Sequence, residues 1–322
     1  GSYSETCLIC GAKRTEVIPA KGHKYAAGRC YVCGKEQGNI QFVDIATAAD
    51  LLAFANRVNA GETELNGRLS ADIDLKGATW TPIGYYCKNG TDSLYYKGRF
   101  EGNGHTISNF TAAGNDCVGL FGYCEIAVIE NLGVINATAT GWNAGAIAGY
   151  APTTLIRNCF AKDCKITGAT SNPLALVSNS AHVGAVAGSN GGTVKNCYAI
   201  NCTMTNNHDG DLSSMAPVGG TVRSNNYYCN VTGAFTATSG ATEVTAAQMA
   251  SGEVTYKLNK GVTDGTQAWY QTCGQGLPAF SGKTVFESNG SYTNNGTVEC
   301  THPSHGQDGK CTTCGAAVDH SY

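Results

Sequence analysis

A short glycine-bracketed apolar box recurs three times between residues 119 and 188, and it restricts the fold of this chain more than any other feature. It reads Gly119-Leu-Phe-Gly122, then Gly145-Ala-Ile-Ala-Gly149, then Gly184-Ala-Val-Ala-Gly188. A branched aliphatic, a variable residue and an asparagine follow each box: Ile129-Glu130-Asn131, Ile156-Arg157-Asn158 and Val194-Lys195-Asn196. The last two copies run on as Asn158-Cys159-Phe160 to Cys164 and Asn196-Cys197-Tyr198 to Cys202. A weaker fourth copy has Val218-Gly-Gly, Val222 and Asn226-Tyr-Tyr-Cys229. The three asparagines stand 27 and then 38 residues apart. Self-similarity at a period of roughly 20–50 residues marks a solenoid, in which each repeat buries its apolar face against its neighbours. Glycine at 42 positions against proline at 7 suits short strands joined by tight turns.

Ahead of the boxes, residues Asp44 to Asn59 predict an amphipathic helix. Thr47 and Asp50 form a capping box, Leu51, Phe54, Ala55 and Val58 share one face, and Gly61 ends the run. Such a helix covers the open end of a solenoid, as terminal caps must. Short alternating strands follow over residues 69–107. Asp72 and Asp74 share one face of a strand; as a pair they suit turn capping better than catalysis or calcium.

The phrases ADIDL (71–75), WTPIG (80–84), FEGNGHTISNF (100–110), VGLFGY (118–123), AGAIAG (144–149), RNCFA (157–161) and VGAVAG (183–188) resemble the GLUG-repeat proteins of bacterial cell surfaces. The resemblance covers roughly residues 40 to 286. It extends through Ser251-Gly-Glu-Val-Thr-Tyr-Lys-Leu-Asn259 and Trp269-Tyr-Gln-Thr272 to Pro278. It implies an all-β fold, a right-handed parallel β-helix, on a secreted or wall-attached bacterial protein. About activity it says little, since such repeats accompany adhesins and some surface peptidases.

In a parallel β-helix, equivalent positions of successive coils lie about 4.8 Å apart, so like residues should form ladders. Small aliphatics then fill the inside, glycines the corners, and a stack of asparagines a turn. Cys159 is expected over Cys197 and Cys164 over Cys202. Disulfides are geometrically open at that spacing; buried free thiols are the alternative, and are favoured for Cys159 and Cys197. Extra residues fall into three loops, 85–97, 168–181 and 206–216, and solenoid insertions map to surface loops, frequently on the binding face. Tyr85, Tyr86, Tyr95 and Tyr96 on the first loop, and Trp142 at another corner, are candidate binding aromatics, with local packing as the alternative. His208, Asp209 and Asp211 form a loose ligand cluster on the third, short of a complete calcium loop.

Cysteine-rich modules flank the repeat. Cys7, Cys10, Cys30 and Cys33 have the C-x2-C-x19-C-x2-C spacing of a four-thiolate zinc site, and two disulfides are the alternative. Cys300, His302 (or His305), Cys311 and Cys314 make a second tetrahedral set. Structural Zn2+ is therefore the expected cofactor. The domains read as residues 1–37, a zinc-ribbon-like module; 38–287, the β-helix with its capping helix; 288–298, a linker; and 299–322, a partial second cysteine module. Gly28-Arg-Cys30 matches Gly309-Lys-Cys311 and His23-Lys-Tyr25 matches His320-Ser-Tyr322, which reads as a piece of a longer chain in which such modules alternate with larger domains. Gly1-Ser2 reads as the remnant of a tag. Thr245 and Gln248 predict a second capping box, and the tail with Trp269 and Phe280 is expected to cover the far end of the helix.

A net charge of −3 with 14% charged residues gives no electrostatic footprint for nucleic acid or an anionic membrane. No apolar run approaches the roughly 18 residues of a membrane span. Neither H-E-x-x-H nor G-x-S-x-G occurs. The acids Asp72, Asp74, Glu101, Asp116, Glu125, Glu130 and Asp163 are sparse and are not expected to align as a pair on adjacent coils. The reading is a non-catalytic, monomeric binding or adhesion module of an extracellular, secreted or cell-surface bacterial protein. Its expected partner is an extracellular glycan or a secreted host glycoprotein, a mucin or an immunoglobulin among them. The alternatives are a β-helix lyase or glycosidase, or a structural spacer.

Overall fold

The structure, a computed structural model, describes residues 2–6, 13–17, 25–26, 29–30, 40–85, 93–170, 181–189, 191–207, 215–219, 222–234 and 240–296. In the first module it describes only backbone. Ser2–Thr6 pairs antiparallel with Lys13–Val17, and Tyr25–Ala26 with Arg29–Cys30. Between residues 43 and 243 the described residues form large parallel sheets whose strands come from successive turns of the chain, as a parallel β-helix requires.

One full coil shows the plan. It contains the strands Val128–Glu130, Gly133–Ile135, Thr138–Gly141, Asn143–Gly145 and Ala148–Tyr150. Each pairs in parallel with its counterpart in the next coil, Leu155–Arg157, Phe160–Lys162, Lys165–Gly168, His182–Gly184 and Ala187–Ser189. The register offset is 27 residues over the first three strands and 39 over the last two, so the extra residues enter between Gly168 and His182. Ile129, Ile156 and Val194 stack inside, as do Val134, Ala161 and Ala199, and all six are fully buried. The box glycines sit where two coil corners touch. A Cβ on Gly184 would lie 2.0 Å from the Ala187 carbonyl oxygen, and one on Gly119 2.5 Å from that of Gly145.

The asparagine ladder forms as expected. Asn131, Asn158, Asn196 and Asn225 all adopt positive φ of 50–57°, a conformation that asparagine tolerates better than most residues. Asn158 Nδ2 donates to Asn131 Oδ1 at 3.0 Å, Asn196 to Asn158 at 3.3 Å and Asn225 to Asn196 at 2.9 Å. The fourth rung is thus Asn225, one residue before Asn226. Asn226 instead takes the column of Cys159 and Cys197, where its amide satisfies Cys197 N and Val194 O. A second ladder lies five residues on: Asn109, Asn136, Asp163, Asn201 and Asn230, again all at positive φ, with Asn136 donating to Asn109, Asn201 to Asp163 and Asn230 to Asn201. The stacked cysteines are free thiols; Cys159 N–H donates to Cys197 Sγ at 3.4 Å. Burial pushes the Cys159 and Cys124 thiols up, so they stay protonated and unreactive.

Helix α1, Ala48–Asn59, carries the Thr47–Asp50 capping box and buries Leu51, Phe54, Ala55 and Val58 over the first coils. Phe54 meets the rings of Tyr96 and Phe100 edge-on at 6.2 and 5.7 Å. Helix α2, Ala246–Ser251, has the Thr245–Gln248 box, and α3, Glu253–Leu258, follows Gly252. The tail corrects an expectation. Among the described tail residues only Thr242–Glu243 extends the last coil, while Met249, Val254, Leu258 and Trp269 pack on the outer side of a sheet, against Phe160, Tyr198, Ile200 and Tyr227. Those side chains alternate with the inward Ala161 and Ala199, so they point out of the coil and expose a large apolar stripe unless something covers it. Tyr198 O–H donates to the Pro278 carbonyl at 2.7 Å, and a Cβ on Gly104 would lie 3.0 Å from that of Phe280. The tail therefore runs back along the rod beside its early coils.

Candidate functional site

Where the returning tail passes the parallel sheet that runs from Val43–Ile45 to Val222–Ser224 it leaves a groove of about 770 Å3. Its sheet side includes Arg68, Glu101 and Arg157, three members of one outward row. Asp44, Arg68, Glu101, Glu130, Arg157 and Lys195 occupy the same register position on six consecutive strands. Their neighbours Phe100, Ile129, Ile156 and Val194 point inward, so strand alternation turns every charge in the row outward.

Glu101 and Glu130 are direct cross-strand partners on adjacent coils, which corrects the expectation that the acids do not align. Two carboxylates at strand spacing repel, and the surroundings resolve this. Arg99 Nε donates to Glu130 Oε1 at 2.6 Å and its Nη2 to Glu101 Oε2 at 3.1 Å. From the other side Arg157 approaches Glu130 Oε2 at 2.5 Å through both Nε and Nη2. Glu130 is completely buried between the two guanidiniums. Glu101 Oε1 accepts from Asn103 N at 2.9 Å and from Asn131 Nδ2 at 2.8 Å, which ties the cluster to the foot of the asparagine ladder. Burial and then the charge of Glu130 push the Glu101 carboxyl up, against the pull of Asn131, Asn103 and Arg99.

Phe42 lies between two of the cations, with Arg99 and Arg68 at 5.3 and 5.4 Å from its ring centre. The opposite wall comes from the tail: Thr266, Gln267, Ala268, Tyr270 and Phe280. Phe280 is fixed by stacking on Trp269 at 4.6 Å. The site is therefore a preorganised lattice of planar polar groups facing aromatic rings. Sequence reasoning missed it, although a signal exists: Arg99-Phe-Glu101, Val128-Ile-Glu130, Leu155-Ile-Arg157 and Thr193-Val-Lys195 each place a charge two residues after an outward position, at coil spacing.

The sequence-derived candidates fall elsewhere. Tyr85 is 39% exposed and bridges Leu94 through backbone hydrogen bonds at 2.8 and 3.0 Å. Tyr95 is half-buried and packs at 4.3 Å, with its ring tilted by 53°, against Tyr123, which stands in register with Tyr150 at 4.9 Å; together they make a short row of tyrosines beside another sheet. Two expectations are corrected. Tyr96 is completely buried because the chain re-enters the coil there, beside Cys124, and packs its ring on Phe121 and under α1. Trp142 is 2% exposed, in a corner that the next coil closes through His182 N–H donating to the Trp142 carbonyl. Neither ring offers a binding surface. Asp72 and Asp74 cap backbone and side-chain groups of Thr106, Lys76 and Asn109. Tyr86, His208, Asp209, Asp211, Cys7, Cys10, Cys33, Cys300, His302, His305, Cys311 and Cys314 lie outside the described residues, as does the side chain of Cys30. Among the described residues no cluster of His, Cys, Asp and Glu is arranged to hold a metal ion.

No family model matches the chain. A stretch of 126 residues is 38% identical to part of halomucin from Haloquadratum walsbyi, covering 35% of this chain and 1% of that protein. The chain thus spans about one hundredth of the length of the curated relative it matches. Among solved structures it is similar to one described as a "putative immunoglobulin A1 protease" from Bacteroides ovatus. That match has 18% identity and a TM-score of 0.45, covering 74% of this chain and 92% of that one.

Proposed function

We propose that this chain is a non-catalytic binding module of a secreted or surface-attached bacterial protein, and that its groove recognises an extracellular glycan or the glycan of a glycoprotein. The observation that carries the reading is the groove itself: planar hydrogen-bonding side chains locked by mutual ion pairs, with Phe42 among them and the rings of Tyr270 and Phe280 opposite. Sugar recognition needs that combination of fixed polar groups and apolar platforms, with the ordering entropy already met in the free protein. The likeness to a small part of halomucin supports an extracellular setting for a unit embedded in a longer chain. In this reading the coil is right-handed, the flanking cysteine modules hold structural zinc, and the loops around Tyr85, Tyr86 and His208 add secondary contacts.

A glycan array probed with the intact chain tests the proposal. Binding that survives deletion of the three loops but is lost on Arg157→Ala supports the groove; binding lost only with the loops transfers the site to them. The aligned Glu101–Glu130 pair is the one observation that favours the second reading, a lyase or glycosidase. Against it, Glu130 is sealed between Arg99 and Arg157, where neither nucleophile nor base reaches a substrate. Release of new reducing or unsaturated ends from a bound oligosaccharide would establish the second reading.

A further inference from the structure

Several of the groove's side-chain acceptors are already engaged, while two of its guanidiniums keep N–H groups to spare. Glu101 accepts from Asn103, Asn131 and Arg99. Asn131 Oδ1 accepts from Asn158, Asn158 Oδ1 from Asn196, and Gln267 Oε1 from the Gly265 backbone N–H. By contrast, Arg157 turns only its Nε–Nη2 edge to Glu130, and Arg68 only its Nε and Nη2 to Asp44. Each guanidinium has five N–H groups, so each keeps donor capacity on the side away from its carboxylate.

The charge exposed to the groove has the same sign. Its wall contains Arg68, Arg99 and Arg157 but one carboxylate, Glu101. Glu130 lies beneath the surface, completely buried. A donor-rich, cationic wall is matched by a ligand rich in acceptors and negative charge, and guanidiniums match a carboxylate in particular.

We infer that the ligand is an acidic saccharide, whose carboxylate is held by Arg157, with Arg68 adding positive charge farther along the same wall, while its ring faces Tyr270 and Phe42; this rests on the glycan-binding reading above. The test is calorimetric titration of the intact chain with trigalacturonate and 3′-sialyllactose. Methyl-esterified trigalacturonate, lactose and sulfated lactose serve as comparisons. The carboxylates should bind at least ~10-fold more tightly than the ester and lactose, with affinity falling as salt rises. Arg157→Gln should weaken the acid by ~10-fold or more and remove most of its margin over the methyl ester. Arg68→Gln, whose ion pair with Asp44 is exposed, does the same to a smaller degree and guards against a folding defect. Glu101→Gln should tighten the acid about threefold, a sign that a merely structural residue would not give. Equal binding of acid and ester overturns the acidic class but leaves the glycan reading intact. Preference for the sulfated sugar overturns the carboxylate assignment. Failure of every saccharide, here and on the array, removes the glycan reading itself.

Discussion

Two kinds of column run along this rod. In the asparagine and inward aliphatic columns each coil repeats the residue below it; in the outward row of the groove the residues change from Asp44 through Arg68, Glu101, Glu130 and Arg157 to Lys195. An in-register stack rewards repetition wherever identical groups can satisfy one another, as Asn131, Asn158, Asn196 and Asn225 do by donating amide to carbonyl in series. Identical charges cannot do so, because like charges directly opposite one another destabilise the pair. The groove row holds one such pair, Glu101 beside Glu130, and enlists Arg99 and Arg157 to keep it. Repetition reports packing; the break in repetition reports the site.

The sharpest way to break the repeating columns is at a box corner. Gly184→Val places a branched side chain where even a Cβ lies 2.0 Å from the Ala187 carbonyl oxygen. Backbone on two coils must part to admit it, and the expected loss is about 5 kcal/mol or more, read as loss of cooperative urea unfolding. Next comes the varied row. Glu130→Ala leaves the buried Arg99 facing a single carboxylate and strips Arg157 of its partner. A destabilisation of about 3–5 kcal/mol is expected, against about 0.5 kcal/mol or less for Arg68→Ala at the exposed pair with Asp44. Equal effects for the two would erase the distinction between a built site and surface charge.

Asn158→Ala tests the ladder. It places alanine at a φ of 50° and breaks the rungs to Asn131 and Asn196. About 2–3 kcal/mol should be lost, of which Asn158→Gly recovers about 1–2 kcal/mol by relieving the backbone alone. If glycine recovers nothing, the amide hydrogen bonds carry the whole effect.

What could be read in the chain follows the same division. The glycine boxes, the first ladder, the thiol stack and the two capping boxes at Thr47 and Thr245 were legible, because each is a local rule or a rule repeated at coil spacing. The second ladder was legible in principle, since every copy has Asn or Asp five residues after the first asparagine, but the eye goes to the cysteines between them. The charged row was not, because its members share a position and not an identity; register must be known before Glu101 can be set beside Glu130. The tail's path was hidden for a related reason. Phe160, Tyr198 and Tyr227 look like core residues in sequence, and only their alternation with Ala161 and Ala199 turns them outward to be covered by Trp269 and Met249. Tyr96 and Trp142 misled in the opposite sense, since loop-edge aromatics are buried wherever the chain re-enters a coil.

The smallest expected effect is also the most specific to the varied row. Burial and Glu130 raise the Glu101 carboxyl above the roughly 4.3 of an unfolded glutamate. Below that unfolded value both states hold the proton, and Glu101 contributes its full stability. As pH rises, the unfolded chain releases the proton first, so the contribution falls and is gone once pH has passed the folded value. Asp50 and Asp74, whose carboxyls are lowered by Thr47 and by Asn109, act in the opposite direction. Raw stability against pH therefore mixes the two, and the informative quantity is the difference between the native chain and Glu101→Gln. That difference should shrink as pH is raised from about 4 towards 7, measured by urea unfolding at each pH. A difference that grows instead would mean that Arg99 and Asn131 outweigh burial, and that the carboxylate is an ordinary member of an ion-pair network.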